Sequence, residues 1–255
     1  MTSLPPSADL PRRRADRARQ VADVLRRQVL SGQYDDGLPS EADLLVEFST
    51  TRNTVRAALD LLRAEGLVDR CPGVGTTVVG QKHPHGLDRL QGLAEVFDGR
   101  GTVHNEVRAL AMTRPPAAVR QRLELAPDDD VLYIERLRHL DGVPLSLDLT
   151  YLVPDLGSLL LGRDLAGNDV FALLEEVSGR SLGHADLVME AVAADPHSAA
   201  VLGTPRHAPL LMVERLTHLD DGRPVDFEFI RFRGDRLTLR GTTHRASRLH
   251  PQEIS

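Results

Sequence analysis

Long apolar runs, cysteine and lysine are all scarce in this 255-residue chain, and each scarcity excludes something. The single cysteine, Cys71, rules out an internal disulfide framework and argues against a cysteine-built metal site. A lone thiol beside a turn reads as inert rather than as a redox sensor. The longest apolar stretches, such as "GSLLLG", are too short to cross a bilayer as a helix. The opening "MTSLPPSADLPRRR" lacks the apolar centre of a signal peptide. These absences predict a cytoplasmic protein with no membrane partner. Lys82 is the only lysine, a bias that suggests a GC-rich genome and says little about function.

Catalytic signatures are missing too. No nucleophile–base pair, metal cluster or cofactor loop stands out, so an enzyme is not expected and no cofactor or metal is assigned. His83 and His85 have no partners at zinc-like spacing. The acidic "PDDD" at 127–130 reads as a solvated turn.

The length suffices for two modest domains with buried cores. The net charge of −6 is unevenly spread: residues 1–80 hold 11 Arg against 11 Asp+Glu, leaving 20 Lys+Arg against 26 Asp+Glu in the rest. An acidic domain repels nucleic acid, so any contact with it falls to the arginine-rich N-terminal part.

There, Val21, Val24, Leu25 and Val29 fall at helical spacing, and "SGQYDDG" ends that helix. "LPSEADLLVEF" starts a second helix at Pro39–Ser40, with Leu44, Leu45 and Phe48 on one face. After a Ser-Thr-Thr turn, a third helix over 52–65 carries a stripe of Val55, Ala58, Leu59 and Leu62, and Gly66 stops it. Arg52 and Arg56 share the face away from that stripe, joined in the first turn by Thr51, Asn53 and Thr54. An isolated Arg-x-x-x-Arg pair is an ordinary solvated face. The order of helices around this one favours a helix-turn-helix, whose third helix meets base edges and phosphates in the major groove. "LVDRCPGVGTTVV" then reads as two short strands around a tight turn, the wing of a winged helix-turn-helix.

The run "LPSEADLLVEFSTTRNTVRAALDLLRAEGLVDRCPGVGTTV" resembles the DNA-binding domain of GntR-family transcription regulators, with "LPSE", "TRNTVR", "AEGL" and "GVGT" in family order. The resemblance implies DNA contacts at Ser40, Thr51, Arg52, Asn53, Thr54, Arg56 and the wing glycines Gly73 and Gly75. Ala42 departs from the pattern, because an arginine that reaches DNA often follows the "LPSE" glutamate. The arginine cluster at 12–19 is either a substitute contact or a solvated charge run.

"GQKHPHGLDRL" reads as an interdomain linker. The expected organisation is 12–80 for DNA binding, 81–89 for the linker and 90–245 for a second domain. In that domain one hairpin is written twice. E-R-L-x-H-L-D begins at Glu135 and again at Glu214, each copy followed by an Asp-Gly turn, a proline and a return strand. Period two puts Arg136 and Arg138 on one face of the first strand, with Arg215 and Thr217 as their counterparts. Arginines among aliphatic residues either hold structural carboxylates or await an anionic ligand. The second loop is one residue longer, and a one-residue slip exchanges faces, so which of Ser146, Asp148, Thr150, Asp226 and Glu228 lie beside the arginines stays undecided.

"VFALLEEVSGR" and "HSAAVLG" read as short helices and "LVMEAVAA" as a strand, which makes the domain α+β with a mostly antiparallel sheet. From about Leu90 to His244 it resembles UTRA, the effector-binding domain of the HutC subfamily, on "IERLRHLDGVP", "LVMEAVAA", "AAVLG", "LLMVERLTHLDDGRPVDF" and "RFRGDRLTL". The resemblance implies a chorismate lyase-like fold and a small anionic effector at Arg136, Arg138, Thr150 and Asp226, with Glu190 nearby. Gly92 and Phe232 stand where relatives that sense a phosphorylated amino sugar have serine and tyrosine. Because the second copy has Thr217 in place of Arg138 and Ile230 in place of Thr150, the first hairpin is the expected ligand wall.

The expected protein is therefore a homodimeric regulator, most simply a repressor, that binds a palindromic double-stranded operator and responds to an anionic metabolite. Two other readings remain at this point: a lyase-like enzyme domain fused to a DNA-binding module, and a DNA-binding protein without an effector.

Overall fold

The computed structural model describes residues 9–34, 37–71, 75–79 and 82–243. The chain divides into two compact units, Met1–His83 and Pro84–Ser255. The expected boundary at 245 lies outside the described residues.

In the first unit, α1 (Asp9–Leu30), α2 (Glu41–Glu47) and α3 (Arg52–Ala64) precede a hairpin of β1 (Val68–Cys71) and β2 (Gly75–Val78). The apolar spacing builds its core: Val21, Leu25 and Val29 close on Leu44 and on Val55, Ala58 and Leu62. Local chemistry sets the helix ends. The Ser40 and Thr51 hydroxyls accept the amides of Asp43 and Thr54 at the two helix starts. Gly66, at φ +70°, terminates α3, and the next amide, Leu67, donates to the Leu62 carbonyl at 3.1 Å.

From the boundary, which falls in the first residue of β3 (His83–Gly86), the chain continues through α4 (Leu93–Val96), β4 (Val103–Thr113), α5 (Ala117–Arg122), β5 (Val131–Leu140), β6 (Val143–Leu152), α6 (Pro154–Leu160), α7 (Val170–Ser178), β7 (Leu182–Ala193), α8 (Pro196–Leu202), β8 (Pro209–Leu219), β9 (Pro224–Arg233) and β10 (Leu237–Arg240). Six strands form one antiparallel sheet in the order β4-β5-β6-β9-β8-β7, and β3 pairs with β10 in a separate ribbon. Residues 83–86 of the expected linker are therefore strand. Their hydrogen-bonding partner lies about 150 residues further on, and Leu87 continues the tie by donating to the Arg240 carbonyl at 2.7 Å.

The doubled hairpin belongs to a larger repeat: β4-α5-β5-β6 and β7-α8-β8-β9 are the same unit twice. They meet where Leu149 pairs with Phe229. In the repeat Asp148 corresponds to Glu228 and Thr150 to Ile230, so the cross-strand pairs Asp148–Ile230 and Thr150–Glu228 are images of each other. A local two-fold thus runs between Leu149 and Phe229.

The unequal loops do not slip the faces. Asp141 at φ +52° and Gly142 at φ +77° make the two-residue type I′ turn of the first hairpin. The second takes its extra residue in the turn, with Gly222 at φ +87°. Both hairpins then shift register at the same place, between Arg138 and His139 and between Thr217 and His218.

One sheet face packs on α5 and α8 through Phe227 against Val119 and Leu123, and through Leu137, Leu147 and Leu210 against Ala199 and Leu202. The other face meets α4 through Val213, Ile230 and Phe232 against Leu93 and Phe97, and meets α6 and α7 through Leu132 and Ile134. On that second face the apolar core gives way to charge.

Candidate functional site

Two sets of residues draw attention. In the first unit Thr51, Arg52 and Asn53 open α3, exposed, and among the described residues no hydrogen bond or ion pair is recorded for the side chains of Arg52 and Asn53. Arg56 is exposed one turn on, its Nε 3.0 Å from Glu41. Ser40 is exposed at the start of α2, and Gly75 is exposed at the base of the wing. Thr54 differs from the expectation. It is 3% exposed, and its hydroxyl lies 2.9 Å from that of Thr51, so it braces the helix start from inside. Gly73 lies outside the described residues. Within the 12–19 arginine cluster, Arg17 donates to the Phe48 carbonyl at 2.9 Å and satisfies the end of α2.

In the second unit the sheet register answers which acids meet the arginines. Arg136 lies opposite Asp148, Arg138 opposite Ser146, Arg215 opposite Glu228 and Thr217 opposite Asp226, all on one face. Arg138 donates through Nε to Asp148, and its Nη1 lies 3.9 Å from Asp169, the residue that caps α7. Ser146 donates to the other Asp148 oxygen at 2.7 Å. Arg215 donates through Nε to Glu228 at 3.0 Å, while its guanidinium lies 4.5 Å over the Phe171 ring. Thr150 donates to Glu228 at 3.1 Å.

Besides the unpartnered Thr217 hydroxyl and one Asp169 oxygen, two ionisable members of the cluster make no side-chain hydrogen bond at all. Arg136 is fully buried with no hydrogen-bond partner on any of its three nitrogens, and the Glu228 carboxylate is 3.9 Å away. Asp226 is equally buried, with neither oxygen bonded. A buried polar group without a partner costs roughly 1–3 kcal/mol, more when charged, so such a pair marks a place kept for something other than stability.

The electrostatics follow from burial and proximity. Burial, and then the negative charge of Glu228, hold the Asp226 carboxyl well above the usual carboxylate range and favour its protonated form. Burial also opposes the charge on Glu228, but Arg215, Arg138 and Arg136 together outweigh it and lower that carboxyl. Burial and the neighbouring Arg138 pull Arg136 down to about 10, still cationic at neutral pH. Three guanidiniums thus face Asp148, Asp169 and Glu228, with Asp226 as a fourth acid whose neutral form is favoured.

Beside the cluster lies a cavity of about 280 Å³. Val213, Arg215, Ile230 and Phe232 form its floor, the segment 85–91 one wall, and Ala185 and Leu187 another. A recess of about 20 Å³ shares His85, Gln91 and Arg215 and reaches Arg138 and Asp148. Burial, Arg215 and Arg138 lower the pKa of His85, so it stands neutral over the arginines. The larger space sits over the second hairpin, whereas the mismatched residues of the first had suggested that hairpin as the wall.

Residues 99–238 match the UTRA domain, and residues 17–78 match the bacterial regulatory proteins of the gntR family. The chain belongs to the GntR family and carries a UTRA domain. It is a DNA-binding transcription regulator of HutC type, not an enzyme. It is 28% identical over 226 residues to the HTH-type transcriptional repressor NagR of Bacillus subtilis, covering 86% of this chain and 91% of that one. It is 28% identical over 200 residues to the histidine utilization repressor of Pseudomonas putida, covering 75% and 79%. The crystal structure of PhnF from Mycobacterium smegmatis has the same fold, with a TM-score of 0.64 at 23% identity over 88% of this chain and 99% of that one.

Within this UTRA domain Arg136, Arg138, Thr150 and Asp226 share the buried face, but Glu190 does not. It pairs with Met212 on the exposed edge strand β7, and the strand alternation points it to the opposite side. Gly92 has a local reason: a Cβ there would collide with the Asp169 carboxylate. Asp169, the wall at 85–91 and the part played by Arg215 escape sequence reasoning, since no local pattern ties an N-cap or a linker to a distant arginine.

Proposed function

We propose that this regulator is a cytoplasmic homodimeric repressor whose grip on a palindromic operator is released by a small metabolite carrying an anionic group. The observation that carries the effector half is the arginine cluster: Arg215 lines the cavity, Arg138 lines the adjoining recess, and Arg136 is buried in the same cluster with unspent donors. An anion entering over Arg215 and Arg138 meets their positive field and adds acceptors where the sheet supplies too few. The mostly apolar remainder of the lining fits a small organic body. The effector acts by binding the DNA-free state more tightly than the DNA-bound one. The repressor role follows the names of its relatives NagR and the histidine utilization repressor.

On the DNA side, Arg52 is the proposed base reader, with Asn53, Thr51, Ser40 and Arg56 around it, the wing glycines Gly73 and Gly75 alongside, and Thr54 as a brace. A two-fold protein matches a two-fold operator, and a single reading head buries too little for tight specific binding. The test begins with genomic fragments captured by the full-length protein, followed by fluorescence anisotropy on the operator found. Arg52→Ala is expected to lose about 1–3 kcal/mol of specific binding while non-specific binding changes little. Unchanged affinity refutes the base-reading role. Anionic metabolites, chosen from the genes beside the operator, are expected to lower wild-type affinity; if none does, the effector reading fails.

A further inference from the structure

The repeated E-R-L-x-H-L-D motif contains a histidine that the effector site leaves unused, His139 in one copy and His218 in the other. Each lies opposite a histidine of the neighbouring edge strand: His104 pairs with His139, and His184 with His218. Two residues further along each edge strand comes an acid, Glu106 in β4 and Asp186 in β7. The sheet therefore writes a His-x-acid strand against a hairpin histidine twice, once on each side of the local two-fold.

The two copies are not in the same state. In the first, the imidazole centroids stand 6.3 Å apart at 37°, and Glu106 is 3.3 Å from the guanidinium of Arg108. In the second, the His184 and His218 rings stack 4.3 Å apart at 2°, and Asp186 has no recorded hydrogen bond or ion pair among the described residues. The donor atoms of His184, Asp186 and His218 all lie within 4.8 Å of one another. His218 is 9% exposed, and its Nδ1 is buried without a hydrogen-bond partner. Among the described residues no cation competes for this triad as Arg108 does for Glu106.

We propose that His184, Asp186 and His218 form a three-ligand site for a divalent transition-metal ion of the zinc type, present only in the second half of the sheet. Two imidazoles and one carboxylate suit zinc, cobalt or nickel rather than the oxygen-seeking magnesium and calcium. Ligand bonds of about 2.0–2.1 Å place tetrahedral donors roughly 3.4 Å apart. The stacked rings send their lone pairs in parallel, so one ring must turn to share an ion with the other. His184 is exposed and free to turn, whereas the buried His218 is held. The proposal rests on the geometry of β7 and β8; His184 also lines the cavity beside Arg215, but zinc uptake is read without any effector.

The test uses the untagged full-length protein, stripped with chelator and titrated with zinc chloride by calorimetry. One zinc ion per chain is expected, with micromolar or tighter affinity. His184→Ala and Asp186→Asn, both at exposed positions, are each expected to weaken it about tenfold or more. His218→Gln should do the same while circular dichroism shows a folded chain. His139→Gln, the matching change in the first half, should leave binding intact. Cobalt in place of zinc should give visible d–d absorption that His184→Ala abolishes. Absence of zinc uptake by the wild type overturns the proposal. So does a loss in His139→Gln equal to that in His218→Gln, or wild-type affinity in His184→Ala.

Discussion

The two halves of the six-stranded sheet start from one pattern and end with opposite chemistry. At matching places the first half pairs Arg138 with Ser146, and the second pairs Thr217 with Asp226. One half offers a cation beside a hydroxyl, the other a hydroxyl beside an acid. Around them the shared framework is kept: Arg136 and Arg215 correspond, as do Asp148 and Glu228. A duplicated hairpin thus supplies a symmetric rack of buried charge, and two exchanges make it polar from one side to the other. The asymmetry is what a ligand can read, since a symmetric site would present the same face in two orientations.

The largest expected effect comes from erasing that asymmetry on the first side. Arg138→Thr copies the second half into the first and leaves Asp148 buried beside Asp169 without its cation. Removing one partner of a buried pair costs on the order of 3–5 kcal/mol, read as a lower midpoint in urea denaturation. Adding Asp148→Asn to it should recover part of that loss, because the stranded charge is then gone. If Arg138→Thr alone is neutral, Arg138 does not hold the framework and the contrast between the halves is purely functional.

Arg136→Met makes the opposite kind of break, in the residue both halves share. Its guanidinium makes no hydrogen bond, and Glu228 keeps its bonds from Arg215 and Thr150 without it, so an apolar side chain of similar reach should cost clearly less than the loss of the hydrogen-bonded Arg138. The response of operator binding to the metabolite should nevertheless disappear. A variant that is unresponsive and destabilised as far as Arg138→Thr would mark Arg136 as framework, like its counterpart Arg215.

How much of this the sequence carried depends on the range of the interactions. The helices of the DNA-binding unit were legible because a Ser or Thr cap, an apolar stripe and Gly66 act within a few residues of one another. The hairpins were legible through Asp-Gly, which sets φ > 0 locally at Asp141 and Gly142. What met the arginines was not, because the face of each acid depends on the turn and on a register shift that propensity does not encode. Glu190 was drawn to the site on resemblance, and the pairing of β7 turns it away. Residues 83–86 read as linker because their strand partner lies near the end of the domain. The arginine pair was visible as an oddity among aliphatic residues. That Arg136 makes no hydrogen bond is a fact of three dimensions.

The smallest effect tests the second side, through Asp226. Burial and Glu228 raise its carboxyl well above 3.8, so the folded state holds a proton that the unfolded chain releases. A raised acid contributes stability that is whole below the unfolded value and is lost as pH climbs through the folded one. Glu228, lowered from 4.5 despite its burial, works in the other window: its contribution is present above that value and fades as pH falls through the folded one. Asp226→Asn removes the first dependence and leaves the second. Compared by urea denaturation between about pH 5 and pH 8, wild type should lose stability relative to the variant by at most about 1.4 kcal/mol per pH unit. Glu228 is coupled to Asp226, so the difference reports the Asp226–Glu228 pair, with every more distant titrating group common to both proteins. The cost of burying an asparagine amide adds an offset that does not vary with pH. Parallel curves would mean that Asp226 keeps its charge when folded, and that the second half balances its cations as the first does.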